Sequence, residues 1–220
     1  MTIIELQNAL GVRPDGVWGD LSRKALLGRF TSANTAALPA ERIKGFAQRL
    51  GVSARQLSAV ARVEAAGSGF DAAKRPKMLF ERHKFHQYTG GRHSVSRFSN
   101  PQSGGYGENS WDKLLDAVAT GQVDAAFKAC SWGKFQVMGA YWQDFAYASP
   151  YALAHSTVES EAGHYRLLVL YVEANRLQNA MAALSPDPET CRAFARAYNG
   201  ANYGQLAYHH KLAAAMKAAP

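Results

Sequence analysis

The sequence predicts an all-α protein. Ala and Leu recur along it while runs of β-branched residues are scarce, a balance that favours helix over strand. Apolar residues fall three and four positions apart in segment after segment, the spacing of a single helix face. Helix punctuation brackets these segments, with Ser-x-x-Gln at one start (Ser53, Gln56) and Gly67 at the matching end.

Ile3, Leu6 and Leu10 place a first helix over 2–11, stopped by Gly11 and the Pro14-Asp15-Gly16 turn. Leu21, Ala25, Leu26 and Phe30 share one side of a second, at 20–30. Residues 31–38 are mostly small and uncharged and read as a linker, after which Pro39 opens the next helix. Further helices are expected at 40–50, 53–66, 79–88, 110–119, 122–129, 133–147, 150–154, 157–175, 177–184, 188–197 and 204–217. Residues 90–107, rich in Gly, Ser, Asn and Pro, are expected to form a long irregular loop, a kind that is often functional. The 220 residues accommodate a small module, 1–35, and one domain of ordinary size, 36–220.

Hydrophobic residues make up 47 % of the chain, enough for a core, which excludes a disordered protein. The net charge of +8 draws the protein to polyanions, including anionic wall or outer-membrane surfaces. Its Lys and Arg are scattered, so a nucleic-acid-binding arm is not expected. Cys130 and Cys191 match neither a disulfide framework nor zinc spacing, and are expected as buried thiols in helical sequence. His83 and His86 lack a third ligand at motif spacing; neither a metal nor a cofactor is expected. The first residues carry no basic and apolar leader, and no stretch of about 18 apolar residues is present. A substrate outside the cytoplasm would therefore need another agent to release the protein.

The helix over 53–66 carries the main chemical signal. Leu57, Val60, Ala61 and Glu64 stand at i, i+3, i+4 and i+7, so a carboxyl occupies the core-facing line. Burial and the negative end of the helix dipole both favour its neutral form. A carboxylic acid protonated near neutral pH can donate a proton to a leaving oxygen. On periodicity alone, an ion pair with Arg62 is the competing reading.

From Glu64 onward the sequence resembles the N-acetylmuramidase domain of phage endolysins. The segments that carry the resemblance are VARVEAAGSGF (60–70), RPKMLFERHKFHQYTGGRH (75–93), NPQSGGYG (100–107), ACSWGKFQVMG (129–139) and FARAYNGANY (194–203). Three are also similar, more distantly, to signatures of goose-type lysozymes and lytic transglycosylases: Glu64-Ala65, the segment from Ser131 to Met138, and Ala197-Tyr198-Asn199-Gly200. Ala65 departs from the Ser of many relatives. Residues 1–35 resemble a shortened peptidoglycan-binding module through ELQNALGV, Asp15-Gly16-Val17-Trp18-Gly19 and LSRKALLGRF.

The resemblance implies a lysozyme-like helical domain that cleaves the β-1,4 bond after N-acetylmuramic acid in peptidoglycan glycan strands. It implies a monomer made in the host cytoplasm and released to the wall by a holin. Glu64 becomes the general acid and Glu81, in LFERH, the candidate second carboxylate, with Asp71 as substitute and an ion pair with Arg82 or Lys84 as the other reading of Glu81. Inverting glycosidases hold the two groups about 6.5–9.5 Å apart to admit water. Gln136, Ser131, Tyr198 and Asn199 are expected to bind substrate, Tyr198 also orienting Glu64 through its hydroxyl; plain core packing is the alternative for Tyr198 and Trp132. Asp15, Gly16 and Trp18 are expected to serve wall binding. Two other chemistries remain open to the sequence: a lytic transglycosylase that uses Glu64 as both acid and base, and a cysteine peptidase or amidase using Cys130 with His155 or His164.

Overall fold

The computed structural model describes residues 1–64 and 67–218; Ala65, where the departure from relatives falls, lies outside them. Helices dominate: α1 (Ile3–Leu10), α2 (Asp20–Arg29), α3 (Ala40–Leu50), α4 (Ala54–Glu64), α5 (Arg82–Tyr88), α6 (Ser110–Ala119), α7 (Val123–Lys128), α8 (Pro150–His155), α9 (Glu161–Ala174), α10 (Gln178–Ala182), α11 (Pro188–Asn199) and α12 (Tyr208–Ala218). An antiparallel sheet of β1 (Met78–Phe80), β2 (Cys130–Trp132) and β3 (Val137–Met138) sits among them in the order β1-β2-β3.

The sheet corrects three expectations. The helix expected over 79–88 begins only at Arg82, because Leu79 and Phe80 lie in β1. Residues 133–147 are not a helix but a hairpin turn, β3 and a short 3-10 segment. Gly133 turns the chain with φ of +71°, and Gln136 follows at +49°, a conformation that breaks any helix. Cys130 accordingly lies in a strand rather than a helix. Two helices also start late. Ser160 accepts a hydrogen bond from Ala162 N–H and so fixes the start of α9 at Glu161, and a 3-10 segment, Ala201–Gly204, precedes α12.

The capping box at Ser53 forms: Ser53 N–H donates to Gln56 Oε1 at 2.9 Å and Gln56 N–H to Ser53 Oγ at 3.2 Å. Leu57, Val60 and Ala61 bury the stripe behind it. Helix α4 packs against α3 on one side and α12 on the other, which holds its C-terminal end in place.

The α1–α2 hairpin joins the same core as the rest of the chain. Phe30, fully buried, packs its ring against Trp111, Phe127, Trp132 and Tyr151. Trp18, expected to serve wall binding, is instead buried, and its indole N–H donates to the Leu115 carbonyl of α6 at 3.0 Å. Arg23 pairs with Asp116 at 3.0 Å beside it. A pair of short helices has too little apolar surface for a core of its own, so its large side chains sink into the neighbour.

Candidate active site

Glu64 ends the described part of α4, where the apolar stripe meets a cavity of about 280 Å³. Phe135, Gln136, Val137 and Met138 from the β2–β3 hairpin form one wall; Tyr141, Tyr171, Tyr198 and Asn199 form the other. Arg62 is not its partner: among the described residues Glu64 makes no ion pair. Its Oε1 instead accepts a hydrogen bond from the Tyr208 hydroxyl at the start of α12. Burial raises the carboxyl's pKa, and the Tyr208 bond offsets only part of the rise.

The tyrosines around it are held neutral. Burial and the Glu64 charge push Tyr208 far above the usual phenol value, and they act on Tyr198 in the same direction. Burial and neighbouring Tyr141 push Tyr171 up to about 12. Their rings interlock: Tyr198 lies parallel to Tyr208 at 6.5 Å and meets Tyr171 edge-on at 5.2 Å, and Tyr171 meets Tyr141 at 5.3 Å. Such an apolar wall with hydroxyl tips suits a sugar ring, which presents C–H faces and polar edges.

Gln136 lines the cavity, but its amide is occupied within the hairpin. Oε1 accepts from the Ser131 hydroxyl at 2.7 Å, and Nε2 donates to the Gly133 carbonyl at 2.8 Å. These bonds brace the turn that carries Phe135. Asn199 is exposed at the rim, and Trp132 is core. The bond to Glu64 comes from Tyr208, not Tyr198. No motif spacing pointed to Tyr208, Tyr141 or Tyr171; each reads in sequence as an ordinary helix aromatic.

Glu81 follows β1 and caps α5. Its backbone N–H donates to the Ala129 carbonyl at 2.9 Å, which ties it to the sheet. Its carboxylate faces neither Arg82 nor Lys84; Oε2 accepts from Tyr106 Oη at 3.3 Å and lies 3.4 Å from His83 Nδ1. Tyr106 belongs to the long loop, which Arg82 and buried Lys113 hold through the Ser96 and Gly105 carbonyls. Glu81 does not line the cavity around Glu64. Asp71 is spent on Arg75, taking its backbone N–H at 2.9 Å and its Nε at 3.2 Å.

Glu161, 2 % exposed, secures the surroundings of the site. It accepts from Lys134 Nζ at 3.0 Å, Gly69 N–H at 3.1 Å and Leu38 N–H at 3.1 Å. One carboxylate thus gathers the linker, the chain beyond Glu64 and the hairpin. Burial opposes its charge, but these three donors outweigh burial and hold its pKa below the usual value. His164 packs beneath, lowered to about 4 by burial, with Nδ1 accepting from Lys134 N–H at 3.0 Å. Gly69 has to be glycine there, because a Cβ would sit 2.2 Å from that ring nitrogen.

In the N-terminal hairpin, Asp15 accepts from Gln7 Nε2 at 3.0 Å and Val17 N–H at 2.9 Å, while Gly16 supplies a φ of +76°. With Trp18 buried, all three build and dock the turn. Both cysteines are buried thiols; Cys130 donates to the Ala126 carbonyl, and burial pushes its pKa well up. His155 packs against Phe30 and His164 is bonded elsewhere, so no cysteine–histidine pair forms.

A search of curated proteins finds no match. Among solved structures, the chain is similar to the crystal structure of the Burkholderia AP3 phage endolysin, with a TM-score of 0.75 and 25 % identity over 98 % of this chain and 94 % of that one. No described helix is long and apolar enough to cross a membrane. A family model, N-acetylmuramidase, matches residues 53–219, which hold Glu64, the sheet and the tyrosine wall. With most of its length inside that match, the chain belongs to the N-acetylmuramidase family, glycoside hydrolases that act on peptidoglycan.

Proposed function

We propose that the protein hydrolyses the β-1,4 bond between N-acetylmuramic acid and N-acetylglucosamine, with Glu64 as general acid. The observation that carries this reading is the environment of Glu64: withdrawn from water, bonded to a neutral tyrosine and facing a cavity. Glu64 enters the reaction protonated and gives its proton to the leaving oxygen as the glycosidic bond breaks. The carboxylate left behind is stabilised by the Tyr208 hydroxyl, a bond that strengthens as charge develops. The tyrosine wall and Phe135 seat the sugars, Asn199 offers its amide from the rim, and Ser131 acts through Gln136 to shape the turn.

Glu81 is the proposed second carboxylate, which activates water on the opposite face of the sugar. Its attachment to the sheet and its contact with the long-loop Tyr106 support this role. A second reading has one specific observation in its favour: Glu64 is the sole carboxylate lining its cavity among the described residues. A lytic transglycosylase uses one such group as acid and then base, and closes an anhydro ring on the muramic acid.

Mass spectrometry of digested peptidoglycan decides between them. Reducing ends from the wild type, at most a trace from Glu64→Gln and few from Glu81→Gln support the hydrolase; anhydro ends, with Glu81→Gln fully active, support the transglycosylase. Similarity to a phage endolysin supports host lysis as the biological role; release to the wall is assigned to a holin on the family resemblance alone. Wall contact by the N-terminal hairpin uses surface other than the buried Trp18.

A further inference from the structure

A basic furrow runs across the face formed by the linker, α3, α4 and the start of α9. It consists of three confluent chambers of about 490, 340 and 390 Å³. The first and second share Ala37 and Glu161; the second and third share Glu159 and Arg166. Arg62 lines the first chamber, Arg42 and Arg166 the second, and Arg166 and Arg29 the third.

These four arginines are exposed, and among the described residues none takes part in an ion pair. Elsewhere Arg23, Arg49, Arg75, Arg97 and Arg192 each hold a carboxylate and Arg55, Arg82 and Arg92 donate to carbonyls, while Arg13, Arg176 and Arg196 are likewise without an ion pair among the described residues but line none of the three chambers. The furrow's own acids do little to balance it: Glu161 is buried and engaged by Lys134, which leaves Glu159. A row of guanidinium groups without counter-charges repels itself and presents paired donors that match carboxylate oxygens.

The first chamber includes Arg62, Gly67 and Ser68, on the chain just before and just after Glu64. It also includes Lys134, adjacent to Phe135 of the Glu64 cavity. Tyr165 of the furrow packs edge-on against that same Phe135 at 4.9 Å. The two sites therefore share a wall.

We infer that the furrow binds the acidic peptide stem of peptidoglycan, its arginines taking the stem carboxylates. The inference rests on the reading of the Glu64 cavity as the glycan site. Every muramic acid carries its stem on the lactyl group, so a strand seated at Glu64 delivers a carboxylate-rich peptide beside the first chamber. Tethering raises its local concentration far above that of a free anion. A phosphate polymer matches the same charges but is not attached to every muramic acid.

The test compares wild type with Arg42→Ala/Arg166→Ala on two substrates: intact sacculi, and glycan strands stripped of stems by an amidase. On intact sacculi the variant's KM is expected to rise about three- to tenfold with kcat unchanged, the range for a pair of exposed ion pairs. Arg42→Lys/Arg166→Lys recovers part of the loss, and on stripped glycan all three proteins perform alike. An unchanged KM on sacculi, or an equal loss on both substrates, overturns the inference. Failure of the wild type to cleave stripped glycan at all, with neither reducing nor anhydro ends released, counts instead against the Glu64 reading.

Direct binding then tests the furrow by itself. Glu64→Gln is titrated with free tetrapeptide stem and, separately, with poly(glycerol phosphate), following the arginine Nε–H resonances. Shifts with the stem that are lost in Arg42→Ala/Arg166→Ala support the inference. Shifts with the phosphate polymer alone overturn it.

Discussion

Tyr208 donates its hydroxyl to Glu64 across 144 positions of sequence, joining the first residue of the last helix to the last described residue of α4. The bond favours the carboxylate, whereas burial favours the acid, and burial prevails. The balance leaves a carboxyl that keeps its proton to higher pH than an exposed glutamate does, which is what the proposed general acid requires.

Tyr208→Phe removes the donor and keeps the ring. The Glu64 pKa then rises further, since the lost bond had lowered it. The alkaline limb of kcat/KM is expected to move to higher pH, with kcat falling on the order of tenfold as the product carboxylate loses its partner. A pH–rate profile checks both, and an unmoved limb means that the hydroxyl does not act on the acid.

Glu64→Gln should lower kcat by roughly 10²–10⁴-fold while the fold persists. It should also raise the melting temperature at neutral pH. A raised carboxyl pKa means that the folded state disfavours the charge, and the amide removes that penalty. The gain is present above the folded pKa of Glu64 and disappears as pH falls below the unfolded value of about 4.3. Calorimetry at several pH values reads the crossover.

Glu161 follows the opposite sign. Its folded pKa is lowered, so its contribution is present above the unfolded value and is lost as pH falls through the folded one. Glu161→Ala strands Lys134, only 12 % exposed, without its anion. The expected cost near pH 7 is about 3–5 kcal/mol. In denaturant melts the gap to wild type should narrow as the pH is lowered through the folded pKa.

Phe30→Ala should cost about 3–5 kcal/mol, because the ring fills an aromatic pocket that cannot collapse around alanine. A chain of residues 36–220 alone loses that ring and Trp18 together, and is expected to show no cooperative melt. If it melts cooperatively near the wild-type temperature, the hairpin is a separable module after all.

What the sequence conveyed well was local. The Ser53 capping box and the stripe through Glu64 lie within one helix, so spacing alone placed the carboxyl on the buried face. Tyr208 and Glu161 act across the chain, and no periodicity connects them to the residues they hold. The sheet leaves no mark in the sequence, because strands of two or three residues give no alternation and the apolar run after Gly133 imitates a helix. Trp18 misled for a related reason: its motif suggests a wall contact, but an indole on a two-helix hairpin gains most by burial against α6.

The shared aromatic core around Phe30 also bears on how such an enzyme can be re-engineered. Exchanging the first 35 residues for a different targeting cassette would pull a plug from between Trp111, Phe127, Trp132 and Tyr151 and leave a hole in the catalyst itself. New specificity is better added outside the hairpin than traded for it, since this chain offers no seam at the place where its linker suggests one.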